Sequence, residues 1–298
     1  MALTAAERRL QSLLRVLTLA FALATVIYEV SPLLGPFRAF FRQLPFVSNS
    51  VVKVSVMGLL CLYAAGDIRR RLGLVTIAIA GHVISIVAML VLLLTIDTSR
   101  AVSLGTATPI RTVLWGAIAL DGVITLLVLV FYLRARGGGG SQPAASQHRD
   151  TPSGAEGRLR VLALAFGVLF ATAAVGYEAG PMLALTRDFF IELPFVTNSV
   201  VKVGTLALLC FYVARDVRRN LPLMGVVIVA HVVSVLAQLI FLIATDTSSA
   251  VTIGDTVVSV GTVLWATIAL DAVVALALFL AYQSAWSESF QLQYYRPI

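Results

Sequence analysis

Charge is scarce in this sequence. Only 12% of its 298 residues are Asp, Glu, Lys or Arg, while 59% fall in the hydrophobic set; an average soluble domain carries ~25% charged and about 45–50% apolar residues. That balance leaves too little polar surface to cover a water-soluble globule. A mean hydropathy of +0.94 agrees, so the chain reads as an integral membrane protein. Cysteine is nearly absent. Cys61 and Cys210 both lie inside apolar runs, so no disulfide framework or CxxC site is visible. There is no P-loop, GxGxxG, HExxH, CxxCH or nucleophile elbow. No stretch between the apolar runs is long enough for a soluble catalytic domain, so nothing founds an enzyme reading. The net charge of +7 would suit nucleic acid, but the arginines stand at the ends of apolar segments and form no continuous basic face. No nucleic-acid partner is expected. Residues 1–15 are basic and lack a small-residue cleavage site, so no removable signal peptide is expected.

What the sequence does have is one unit written twice. LPFVSNSVVKV at 44–54 returns as LPFVTNSVVKV at 193–203, an offset of 149 residues. The same offset carries Tyr28-Glu29 onto Tyr177-Glu178, Cys61 onto Cys210, Asp67 onto Asp216 and His82 onto His231. One extra loop residue then raises the offset to 150, which carries Leu114-Trp115 onto Leu264-Trp265 and Asp121 onto Asp271. So many matches in register identify a tandem duplication. The two copies occupy 1–136 and 158–298, joined by GGGGSQPAASQHRDTPSGAEG at 137–157, whose composition predicts a flexible linker.

Each copy holds four apolar stretches. They fall at 14–34, 46–66, 74–96 and 112–133, then at 161–183, 195–214, 223–244 and 263–282. About 20 residues cross a ~30 Å hydrocarbon core as a helix, and backbone in lipid must satisfy its own hydrogen bonds. The expected fold is therefore all-α, with eight transmembrane helices as a duplicated four-helix unit. Fifteen arginines fall on the side of the N-terminus, the helix 2–3 turns, the linker and the C-terminus, against five on the other. That bias predicts cytoplasmic termini, in a bacterial-type inner membrane. Four helices per copy is an even number, so the copies are parallel about a pseudo-twofold along the membrane normal.

Ionisable side chains inside spans are costly and mark sites by default. The copies repeat four of them: Glu29, Lys53, His82 and Asp121, then Glu178, Lys202, His231 and Asp271. Glu29 and Lys53 lie at a similar depth below the outer surface. Since Lys53 and Lys202 are the only lysines, the expectation is an intramembrane ion pair in each copy, Glu29 with Lys53 and Glu178 with Lys202. A Schiff-base lysine would sit nearer mid-membrane. His82 and Asp121 are expected about two helical turns apart, in contact only through tilt or a bridging water. Ser85 and Ser234 follow the histidines at i+3 and share the imidazole face. Three readings of the His/Ser/Asp set are open: interhelical glue, a proton pathway through Asp121, Asp271, Ser85 and Ser234, or ligation of a cofactor. The sharpest version of the last puts one haem b between His82 and His231 across the pseudo-twofold.

Other features are generic. Pro45 and Pro194, each preceded by paired aromatics, predict a short interfacial segment on the outer face. Trp115, Trp265, Trp286 and Tyr294-Tyr295 read as interfacial anchors. The outer loops are basic in copy one (Arg38, Arg42, Arg100, Arg111) and more acidic in copy two (Asp188, Glu192, Asp246, Asp255), a polarity that suits a protein partner. Two function classes remain. One is a non-catalytic membrane subunit or anchor of a larger assembly, of the redox or photosynthetic kind that holds haem, pigment or quinone. The other is a proton-coupled carrier, against which stands the lack of a repeated Gly/Pro break mid-helix.

Overall fold

A computed structural model describes residues 3–34, 49–95, 97–99, 101–103, 107–138, 154–183, 198–244, 246–253 and 256–294. The segments around Pro45 and Pro194, the outer residues Arg38, Arg42, Arg100, Arg187, Asp188, Glu192 and Asp255, most of the linker and the end of the chain from Tyr295 lie outside them. Among the described residues there are eight α-helices. They are α1 (Ala5–Val30), α2 (Asn49–Gly66), α3 (Leu72–Thr95) and α4 (Ile110–Gly138) in the N-terminal half. In the C-terminal half they are α5 (Gly154–Ala179), α6 (Asn198–Arg215), α7 (Val217–Ala244) and α8 (Val260–Tyr294).

Six of these, α1, α3, α4, α5, α7 and α8, are long and apolar enough to cross a membrane. Their outward faces carry exposed large apolar side chains, among them Leu19, Leu126, Val168 and Val273. In water such faces would be a liability; they suit a lipid bilayer. The shorter helices α2 and α6 sit in the middle. Each packs on the other and on α3 and α7, with α1 laid along α2 and α5 along α6. One apolar core therefore runs through both halves, from Leu10 and Leu60 to Leu209 and Leu278.

The helix ends explain where the boundaries depart from the sequence reading. α1 starts at Ala5 because Thr4 and Glu7 form a reciprocal capping box. Glu7 also receives both Nε and Nη2 of Arg69, at 2.8 and 2.9 Å. Glu156 and Arg218 repeat that pair 149 residues later. The linker ends earlier than expected, since α5 is helical from Gly154 and the Ala155 N–H donates to the Glu288 carboxylate at 2.8 Å. An anion at a helix N-terminus satisfies orphan donors and suits the dipole. Likewise α7 begins ahead of Pro222, because Asp216 accepts from the Arg219 N–H at 3.1 Å as a cap. α8 runs 35 residues, about 52 Å at 1.5 Å per residue, and so overruns the expected span at its C-terminal end.

The described chain is nearly all helical, as expected, and the short strands are confined to connections. The connections before α4 and α8 each fold as a two-stranded antiparallel hairpin, Ala101–Ser103 with Ala107–Pro109 and Ala250–Ile253 with Thr256–Ser259. Val, Thr and Ile favour that extended geometry. Between the halves, Arg219 donates through Nη2 to the Arg70 carbonyl at 3.2 Å. These two residues are themselves 149 apart. Contact between corresponding positions brings the two helix 2–3 turns together where the halves meet.

Candidate functional site

The site is built from three helices in each half. α3 runs from its first turn at Leu72 to His82 over ten residues, about 15 Å. α4 runs the opposite way, and Asp121 lies eleven residues from Ile110, about 16 Å. The two side chains meet in mid-helix, and the imidazole Nδ1 lies 3.1 Å from Asp121 Oδ1. The contact is direct, where the sequence suggested two helical turns of separation, and both helices start two residues ahead of the apolar stretches from which the depths were judged. Ser85, one turn beyond His82, donates to Asp121 Oδ2 at 2.6 Å.

Lys53 completes the cluster from α2. Its ammonium donates to Ser85 Oγ at 2.8 Å and to Asp121 Oδ2 at 2.5 Å. The pairing expected from the sequence, Glu29 with Lys53, is thus not the one formed. Nor does Glu178 pair with Lys202, whose ammonium donates to both oxygens of Asp271 at 2.7 Å and to Ser234 at 2.8 Å. Equal depth does not bring two groups onto facing sides. α2 and α6 turn their lysines toward α3–α4 and α7–α8, and the flexible stem carries the ammonium to the aspartate. Glu29 and Glu178 each keep one buried carboxylate oxygen without a hydrogen-bond partner.

The environment is largely closed to solvent. His82, Ser85, Asp121, Lys202, His231, Ser234 and Asp271 are all buried. Phe21 of α1 stacks on the His82 ring at 5.8 Å between centroids, and Phe170 of α5 lies against His231 at 5.4 Å. An isolated buried charge is prohibitive, but here ammonium and carboxylate cancel and every aspartate oxygen has a donor.

The halves differ on one side of the cluster. In the C-terminal half Gln238 donates to Ser234 at 2.9 Å and to Asp271 Oδ2 at 3.2 Å, and accepts from Thr267. The corresponding positions in the N-terminal half are Met89 and Ala117. His231 Nδ1 is 2.8 Å from Asp271 Oδ1, while its Nε2 is buried without a partner.

As to cofactors, each imidazole points Nδ1 at the aspartate of its own half. α3 packs chiefly on α4 and α6, and α7 on α8 and α2. The two histidines therefore belong to separate clusters, and the geometry gives the shared haem b no support. Among the described residues no group of three or more His, Cys, Asp or Glu side chains is placed to hold a metal ion.

Sequence reasoning missed Gln238, Thr267, Phe21 and the Glu7–Arg69 pair. For Phe21 and Glu7–Arg69 a signal was there, because the 149-residue offset carries them onto Phe170, Glu156 and Arg218. Gln238 and Thr267 have no counterpart in the other copy, so the repeat is silent about them. No family model, curated protein or solved structure matches this chain.

Proposed function

We propose that the chain is a non-catalytic integral membrane subunit of a larger assembly. In this reading the tandem duplication gives eight spans, as two parallel four-helix units with both termini cytoplasmic. One observation carries the reading: the intramembrane Lys and Asp charges are used up within each half, held by Ser and His in a packed, buried cluster. Charges spent that way hold helices to one another. The alternative is a proton-coupled carrier, and His231 favours it, since its Nε2 is a buried ring nitrogen left unpartnered beside a carboxylate.

Proteoliposomes loaded with a pH-reporting dye separate the two. As a subunit, the purified chain leaves an imposed pH gradient as it is in empty liposomes, and native gels of solubilised membranes place it at fixed stoichiometry with a second protein. Gradient dissipation by the wild-type chain that Asp271→Asn abolishes would establish the carrier and end the subunit reading. Impermeant cysteine labelling of intact cells checks the topology alongside. It should reach positions in the hairpins at 101–109 and 250–259 and miss the 139–153 linker.

A further inference from the structure

At the cytoplasmic end of the proposed topology, residues of α1 and α4 line an open groove of about 620 Å³. Arg8 and Arg9 on α1 and Arg134 on α4 stand at its mouth. All three are exposed, and among the described residues none has a carboxylate partner. The nearest acid in sequence, Glu7, is already engaged by Arg69. Below the arginines the floor turns apolar with Leu13, Val16 and Phe131. Arg8 to Val16 is eight residues, about 12 Å along the helix axis. Three cationic side chains thus adjoin an apolar strip on the same open surface groove.

The other half supplies an internal control. At the positions corresponding to Arg8, Val16, Phe131 and Arg134 it has Gly157, Ala165, Ala281 and Ser284, and only Arg158 keeps its charge. General attraction to an anionic surface would not need three arginines on one groove and a single one at its counterpart. We propose that this groove binds one anionic phospholipid, its phosphate on Arg8, Arg9 and Arg134 and an acyl chain along Leu13, Val16 and Phe131. Guanidinium groups match phosphate oxygens in geometry as well as charge. Basic pockets between transmembrane helices are known to hold lipid head groups. The inference rests on the bilayer setting alone, so it stands or fails independently of the subunit reading.

Native mass spectrometry of the full chain, titrated with phosphatidylglycerol or phosphatidylcholine, tests it. The wild type should retain a single phosphatidylglycerol in preference to phosphatidylcholine. Each arginine near the surface contributes about a fivefold gain in affinity. R134Q should therefore bind roughly fivefold more weakly, and R8Q/R9Q/R134Q on the order of 10²-fold more weakly. R158Q in the other half should bind as the wild type does. All the substituted side chains are exposed, so thermal midpoints in neutral detergent should not move; if the triple variant fails to fold, R134Q decides. Equal retention of the two lipids by the wild type overturns the proposal, as does undiminished binding by the folded triple variant. An equal loss in R158Q would reduce the effect to surface charge. Displacement of phosphatidylglycerol by equimolar inorganic phosphate would identify a free-anion site instead.

Discussion

Lys202→Met should destabilise the protein by about 3–5 kcal/mol, the cost of leaving a buried charge without its partner. The stranded charge is Asp271, which loses the ammonium from both its oxygens and keeps only His231 and Gln238 as donors. Asp271→Leu should cost as much, because it strands the ammonium and removes the acceptor of His231 Nδ1. The double variant Lys202→Met/Asp271→Leu should be milder than either single change, since no net charge is then left in the apolar interior. Thermal unfolding in mild detergent measures all three. Strictly additive losses would mean that the pair does not couple, and would remove the basis for reading the cluster as a lock between helices. Lys53→Met should behave alike, with a smaller loss, because the Lys53 side chain is 14% exposed against 8% for Lys202.

The second large effect concerns Gly81, one residue before His82 and on the face where the halves meet. A Cβ added there would lie 2.2 Å from the Met57 terminal methyl and 2.8 Å from Thr205 Oγ1. The methionine tip can swing aside, but Thr205 is short, 1% exposed and fixed on α6. Gly81→Ala should therefore cost about 1–3 kcal/mol, the usual range for overpacking a tight core. Gly81→Leu should do worse, prising α3 from α6. The other half carries Ala230 and Leu206 at the positions of Gly81 and Met57. Pairing Gly81→Ala with Met57→Leu should thus recover part of the loss. Should Gly81→Ala unfold at the wild-type midpoint, the close approach of α3 to α6 would not be a stabilising feature.

Much of this architecture was legible from apolar run length and from the offset of 149 residues. Both are one-dimensional signals, and they located the helices and the residues of the cluster. Depth along a helix could also be counted. What could not be read was rotation about the axis, because Lys53 sees Glu29 or Asp121 according to an angle set by packing. A four-carbon stem then adds several ångströms of reach. Helix starts were misplaced for a local reason: Asp216 and Thr4 cap helices whose first turns are too polar for an apolar-run criterion. The hairpins before α4 and α8 fell below the same criterion, being only three and four residues per strand. Arg71 and Asn220 show how the repeat can preserve a role and change the residue. Arg71 Nη1 reaches the Tyr63 carbonyl at 2.8 Å, and Asn220 Nδ2 the corresponding Tyr212 carbonyl at 3.0 Å, each satisfying an acceptor near the end of its helix.

The spacing of the partners in the chain also bears on biogenesis. Lys53 and Asp121 are 68 residues apart, and Lys202 and Asp271 are 69 apart. A ribosome adding ~5–20 residues each second needs roughly 3–14 s to cover that distance. Throughout that interval the lysine-bearing helix has been made but its aspartate has not. α2 and α6 are the shortest helices of their halves, and in the proposed eight-span topology each brings one lysine into the bilayer, at a cost of about 2.5–3.5 kcal/mol on insertion scales. In that topology the lysine is relieved of this cost once the last helix of its half brings the aspartate. The carboxylate is the last member of each cluster to be made, so each cluster is completed only when that residue arrives.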